Sequence, residues 1–245
     1  MFRMSNPDFL PPPRGVRAEF RRMAEHPVGL ARPLVVLAGW RAPVWPAMFM
    51  AQHLSRLAGD SSRRAVALGF AHCMSFDTAV RRVTALVDRL WPSASLTETT
   101  EVDLVGISMG GLIGRAAAVP VPGRKRLRIA RLFTLGTPHR GARIAPYIPL
   151  DPLVREMRPG SALLTLLDEG LAAANYELRC YARLHDSWVG ALNTSPPGRD
   201  PFWKPGPLLL SHQTISGDSL IRADIARCLR GELPLATRAS RPPRA

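Results

Sequence analysis

The segment Gly106-Ile107-Ser108-Met109-Gly110-Gly111 holds the residue types best suited to covalent chemistry in this chain. It closes an apolar, β-rich run (Val102, Leu104, Val105) and opens a helix-forming one, Leu112 to Ala118. A G-x-S-x-G pattern at such a strand-to-helix corner forces the serine into a strained backbone conformation. The glycines sit where Cβ atoms would collide, and the Oγ is exposed at the carboxyl end of a buried strand. The N–H groups that open the helix then point at any anion formed there. The plain alternative is a glycine-rich turn with a capping serine. A nucleotide fingerprint does not fit, because G-x-S stands in place of G-x-G and no Gly-Lys-Ser/Thr follows.

A serine hydroxyl becomes a nucleophile when a base takes its proton, and that base needs a third group to set its tautomer. After a corner of this kind the expected order is serine, acid, histidine, with acid and base each just past a later strand. His26, His53 and His72 precede the serine, His139 follows the very next expected strand, and His185 shares a loop with Asp186. His212 follows the last expected strand, so it is the base this reading selects. Asp186 ends a strand and leaves one more before His212, which makes it the acid. Asp168, Glu169, Asp200 and Asp218 remain alternatives in less suitable places. An oxyanion would need two backbone donors. Met109 N–H, next to the serine, and Trp40 N–H, after Gly39 at the end of the first strand, are the expected pair.

The elements that must position these residues alternate along the chain. Strands are expected at 33–40, 64–70, 101–107, 127–136, 177–184 and 207–211, with helices at 14–26, 46–58, 76–90, 112–118 and 219–230. Continuous apolar strands between amphipathic helices predict an α/β architecture with a mostly parallel, doubly wound sheet of about six strands. Residues 1–32 are expected to form an N-terminal extension with a docking helix, 33–232 the main body, and 233–245 a disordered tail. Residues 142–175 break the rhythm with four prolines among many leucines, and are expected either to lie over or beside the serine as a small cap or pocket wall, or simply to pack into the core.

A chain of 245 residues can bury a substantial core as one domain. Its net charge of +14 is almost all arginine, since Lys125 and Lys204 are the only lysines. The basic residues are spread along the chain and no aromatics interleave with the densest run, 124–128, so nucleic-acid binding is not expected. Codon usage that favours arginine is the plainer explanation of such charge, and weak contact with an anionic membrane surface is the partner it could otherwise serve. Cys73, Cys180 and Cys228 lack the spacing of a disulfide framework or a zinc site, and neither a metal nor a cofactor is expected. No apolar stretch has the length of a signal peptide or a membrane span, which predicts a cytoplasmic protein.

Several blocks together resemble the bacterial lipases and esterases of the α/β-hydrolase superfamily, the group related to triacylglycerol lipases and GPI-inositol-deacylase-like hydrolases. They are Gly106 to Gly111, Leu135-Gly-Thr-Pro-His-Arg-Gly141, Met157-Arg-Pro-Gly-Ser161, Asp186-Ser-Trp-Val189 and Ser211-His212. The resemblance implies carboxylic or lipid ester hydrolysis through an acyl-enzyme, with Ser108, Asp186 and His212 as nucleophile, acid and base. Acyl transfer on the same residues, or a non-catalytic binding scaffold, are the alternatives. Only about thirty residues precede the first strand, so the superfamily's sheet is expected in shortened form. The family's His-Gly after that strand is here Ala38-Gly39, so an oxyanion loop of different shape is expected.

Overall fold

The computed structural model describes residues 6, 8–60 and 64–243. Expectations for residues 1–5, 7, 244 and 245 lie outside the described residues.

Six parallel strands form one sheet in the order β2-β1-β3-β4-β5-β6. They are β1 (Leu34–Leu37), β2 (Ala65–Leu68), β3 (Val102–Ile107), β4 (Ile129–Leu135), β5 (Glu177–Arg183) and β6 (Phe202–Lys204). The sheet is parallel because each connection is long enough to carry a crossover helix. Side chains alternate across it. Leu34, Val36, Val105 and Phe133 face one core, with helices α1 (Gly15–Glu25), α2 (Trp45–Ala58) and α7 (Ser219–Leu229). Val35, Leu37, Leu104 and Leu132 face the other, with α3 (Phe76–Leu90), α4 (Met109–Ala118), α5 (Pro152–Glu156) and α6 (Ala162–Glu169). Full burial of each such Val or Leu contributes about 1.5–3 kcal/mol, so the central strands anchor the fold.

The helices follow from local chemistry. In α3 the buried residues Phe76, Ala79, Val83 and Val87 make one face, and the Ser75 hydroxyl caps the start by accepting from Thr78 N–H. In α2, Pro46 occupies the first turn, and Gly59 ends the helix in the left-handed conformation that glycine adopts without strain. Helix α1 docks through Met23 and through Glu19, which accepts from Arg227 of α7 at 2.6 Å.

Two expectations are corrected. The run Pro207-Leu-Leu-Leu-Ser211 is not a strand; the last strand is Phe202–Lys204, just before it. Phe202 and Trp203 bury themselves beside Tyr181 and Ala182 of β5, whereas Leu208, Leu209 and Leu210 point outward. Nor is the described part of the tail disordered. Ala236 is fully buried and bridges antiparallel to Phe9, its N–H donates to Asp224 Oδ1 at 2.8 Å, and its carbonyl accepts from Arg179. Asp224 is completely buried and needs donors, and the tail supplies them.

Candidate active site

Strand β3 ends at the sheet's centre, with Leu37 of β1 level with Gly106. Ser108 turns the corner into α4 with φ 52° and ψ −123°, a conformation that costs a non-glycine residue about 1–3 kcal/mol. Its neighbours hold it there. Ser108 N–H donates to Leu135 O at 2.8 Å, and its own carbonyl accepts from Thr137 Oγ1 at 2.8 Å. The flanking glycines are required by space: a Cβ on Gly106 would lie 2.3 Å from Gly111 Cα, and one on Gly110 would lie 2.5 Å from Leu37 O.

Asp186 lies three residues beyond β5 and is buried. Its Oδ1 accepts from the N–H groups of Trp188 and Val189 at 3.1 and 2.9 Å, which fixes the carboxylate plane. Its Oδ2 lies 2.8 Å from His212 Nδ1, and His212 Nε2 lies 3.0 Å from Ser108 Oγ. A carboxylate can only accept, so Nδ1 carries the hydrogen and Nε2 presents its lone pair to the serine hydroxyl. The Trp188 ring stacks on the imidazole at 5.3 Å between centroids, so the histidine is held both in plane and out of plane.

His212 sits in a turn, and a charged group behind it holds that turn. Arg183, at the end of β5, donates to Thr214 Oγ1 at 2.6 Å and to Ser211 O, one on each side of the histidine. Its other terminal nitrogen donates to Asp218 at 2.8 Å, which also binds Lys204 and caps α7 through Leu220 and Ile221 N–H. Burial pushes the Asp218 carboxyl up, but Lys204 and Arg183 together hold it below the ordinary aspartate value.

The other acids and histidines weighed from sequence are engaged elsewhere or apart. Asp168 accepts from Arg115, while Glu169 and Asp200 are exposed. His139 is buried between Arg115 and Thr134 at 3.0 Å from each. Burial, reinforced by the charges of Arg115 and Arg140, keeps that imidazole well below the ordinary histidine range and therefore neutral. His185 binds Gly206 O, and His53 packs edge-on against Phe20.

Ser108 and His212 open into a cleft of about 480 Å³. Its walls are mainly apolar: Trp40 and Trp45 on one side, Ile144, Val154 and Met157 from the 142–175 segment, and Trp188. The two residues expected to supply oxyanion donors stand beside the serine. Met109 is the first residue of α4, and Trp40 lines the cleft after Gly39, whose pro-Cβ position is 3.2 Å from Ser108 Cβ. Among the described residues, no group of three or more His, Cys, Asp or Glu is arranged to hold a metal ion.

Sequence reasoning assigned no role to Trp188, Arg183 or Asp151. Trp188 could have been found from its place two residues after the acid. Arg183 and Asp151 gave no local signal, because their partners lie far along the chain.

A parallel sheet with helices on both faces, a strained serine at the end of the third strand, and an acid and a histidine after later strands are arranged as in the α/β-hydrolase fold. Comparison with known proteins agrees. The family described as PGAP1-like alpha/beta domain matches residues 68–149, about a third of the chain. No curated protein sequence matches. Among solved structures, the chain is similar to mature Bacillus licheniformis lipase BlEst2, with TM-score 0.54, 16% identity, and coverage of 78% of this chain and 89% of that one. It is also similar to phospholipase PlaB from Legionella pneumophila, with TM-score 0.60 and 12% identity over 82% of this chain. The match spans 60% of that phospholipase's length.

Proposed function

We propose that the chain is a serine hydrolase that cleaves carboxylic esters, lipid acyl esters among them. The observation that carries this reading is the continuous hydrogen-bonded line from Asp186 through His212 to Ser108, at 2.8 and 3.0 Å, at the edge of an apolar cleft.

As Ser108 Oγ bonds to the ester carbonyl carbon, its proton passes to His212 Nε2 and the carbonyl π pair moves onto oxygen. Asp186 stabilises the resulting imidazolium and keeps its orientation. The N–H groups of Met109 and Trp40 receive the oxyanion in this scheme, and losing one such donor typically costs about 3–4 kcal/mol of transition-state stabilisation. Collapse breaks the ester C–O bond, and His212 gives its proton to the leaving alcohol. Water then gives a proton to His212 as it attacks the acyl-serine; collapse frees the acid and returns the proton to Ser108. The apolar walls from 142–175 would take the acyl chain, which makes that segment a cap over the site.

The rim favours a lipid substrate. Trp45 and Phe49 project from the start of α2, and Leu208, Leu209 and Leu210 directly precede the Ser211-His212 turn; all five are more than half exposed. Arg143 and Arg155, from the 142–175 segment, are exposed. Exposed apolar side chains on a chain with a net charge of +14 suit an anionic lipid surface. Among the described residues no helix is long and apolar enough to cross a membrane.

Turnover of p-nitrophenyl esters of increasing acyl length tests the reading. The expected result is hydrolysis that rises with chain length until the cleft is filled, and that Ser108→Ala abolishes. Folded wild-type protein no faster than Ser108→Ala on every ester would overturn it.

A further inference from the structure

Asp151 joins two parts of the site that are 110 residues apart in sequence. Its Oδ1 accepts from Leu153 and Val154 N–H, an ordinary cap at the start of α5. Its Oδ2 is used differently. It accepts from the Trp40 indole Nε1 at 3.1 Å and from Arg41 Nε and Nη2 at 3.2 and 3.0 Å. The loop that leaves β1 beside Ser108 is thus tied by three donors to one oxygen at the base of the cap segment.

Within itself the loop has little to hold it. Within it Ala42 N–H reaches Gly39 O only at 3.4 Å, and Arg41 has φ 50°, a left-handed conformation that a free arginine leaves readily. Arg41 is braced from a third side, where its Nη1 donates to Ala71 O at 3.0 Å just after β2. Trp40 lines the cleft, and Gly39 packs against Ser108 Cβ. Burial pushes the Asp151 carboxyl up, but the donors from Arg41, Trp40 and Val154 outweigh it and hold the group below the ordinary aspartate value, ionised at neutral pH. A helix cap needs one acceptor oxygen, which serine or asparagine could supply. The second oxygen, facing two guanidinium nitrogens and an indole, is what calls for a carboxylate.

We propose that Asp151 is a positioning residue that clasps the Trp40-Arg41 loop to the cap, fixing the Trp40 backbone N–H where the oxyanion forms. The clasp rests on the ester-hydrolase reading for its catalytic consequence. It also makes the cap and the oxyanion loop move together, so displacement of α5 would disturb the donor geometry.

Asp151→Asn separates the two roles of the side chain. The amide oxygen can still cap α5, but an NH2 group then faces three donors. The expected result is a kcat lower by about 10- to 100-fold with KM changed less than about threefold, the scale of a donor displaced by roughly 1 Å. A trifluoromethyl ketone, whose adduct with Ser108 forms an oxyanion, should bind more weakly by the same factor as kcat/KM falls. Asp151→Ser, which keeps a cap and loses the clasp, should behave alike, and serves if the asparagine variant folds poorly. A lower melting temperature with unchanged kcat and unchanged ketone affinity would assign Asp151 to stability alone and overturn the proposal.

Hydrogen exchange across residues 38–43 needs no substrate. Faster exchange there in both variants is expected, and unchanged exchange overturns the clasp. Wild-type protein that turns over no ester refutes the hydrolase reading instead, and leaves the exchange result to decide the clasp.

Discussion

Asp186→Asn is the substitution whose effect can be worked out most fully from the geometry. The wild-type Oδ1 satisfies two donors, the part-buried Trp188 N–H and the buried Val189 N–H. Leaving either unpaired would cost about 1–3 kcal/mol, so the asparagine should place its amide oxygen there. Its NH2 then takes the position of Oδ2, 2.8 Å from His212 Nδ1. Two donors cannot face one another, and the imidazole must shift its hydrogen to Nε2. That nitrogen lies 3.0 Å from Ser108 Oγ and would then offer a hydrogen instead of a lone pair. The serine loses its base while every heavy atom stays near its place. The wrong tautomer in such a triad lowers turnover by about 10⁴, or roughly 5–6 kcal/mol of barrier. Loss of one charge-assisted bond should cost only about 1.5–3 kcal/mol of stability, a shift of about 3–12 °C in melting temperature for a chain of this size. Stopped-flow hydrolysis of p-nitrophenyl butyrate, read beside thermal melting by circular dichroism, separates the two effects. A folded Asp186→Asn protein within tenfold of wild-type activity would refute the reasoning.

Arg183→Met removes the anchor of the His212 turn without orphaning a carboxylate, because Lys204 still contacts Asp218 at 2.9 Å; kcat should fall about 10- to 100-fold with KM within about threefold, and equal activity in steady-state assays would leave Arg183 a purely structural role. His53 is driven down to about 4 by burial, with help from Arg222 and Arg56. Between its ordinary value of 6.5 and about 4 the unfolded chain binds a proton that the folded chain does not, so stability should fall as pH drops through that window. His53→Phe should flatten that fall in urea titrations, and parallel pH profiles would count against it. Leu208→Asp combined with Leu209→Asp should weaken sedimentation with phosphatidylglycerol vesicles by about tenfold or more, from the ordinary worth of buried leucines, with little change on a soluble ester. Undiminished vesicle binding would remove the rim from the lipid-binding account.

Much of the scaffold is legible in the sequence because it is written in local, periodic signals. The apolar runs of β1, β3 and β4 announce buried parallel strands, and the amphipathic stretch 76–90 announces α3, with Val83 and Val87 buried as its spacing requires. The glycines around Ser108 announce a tight corner because backbone contacts at 2.3 and 2.5 Å exclude a Cβ. The approach of Asp186 and His212 to Ser108 follows from chain order once the sheet is parallel, since every strand then delivers its carboxyl end to one edge.

What the sequence conceals are choices made by distant partners. Three leucines at 208–210 imitate a strand, yet the edge of β5 pairs with Phe202–Lys204, whose aromatic rings fill the core beside it. The tail from 234 reads as loose polar chain until the buried carboxylate of Asp224 is seen to need its N–H groups. Asp151 and Arg183 look like ordinary surface charges, because what they hold lies 110 residues upstream and 31 residues downstream. Such pairings have no periodicity to betray them.

The central claim is that Ser108 is an activated nucleophile. Incubation of the folded protein with a fluorophosphonate, followed by intact-mass and peptide mass spectrometry, tests it most directly. The account predicts one covalent adduct, on Ser108, that is absent from Ser108→Ala and forms far more slowly in His212→Ala. A folded protein that takes up no adduct, or takes it up equally in Ser108→Ala, would contradict it.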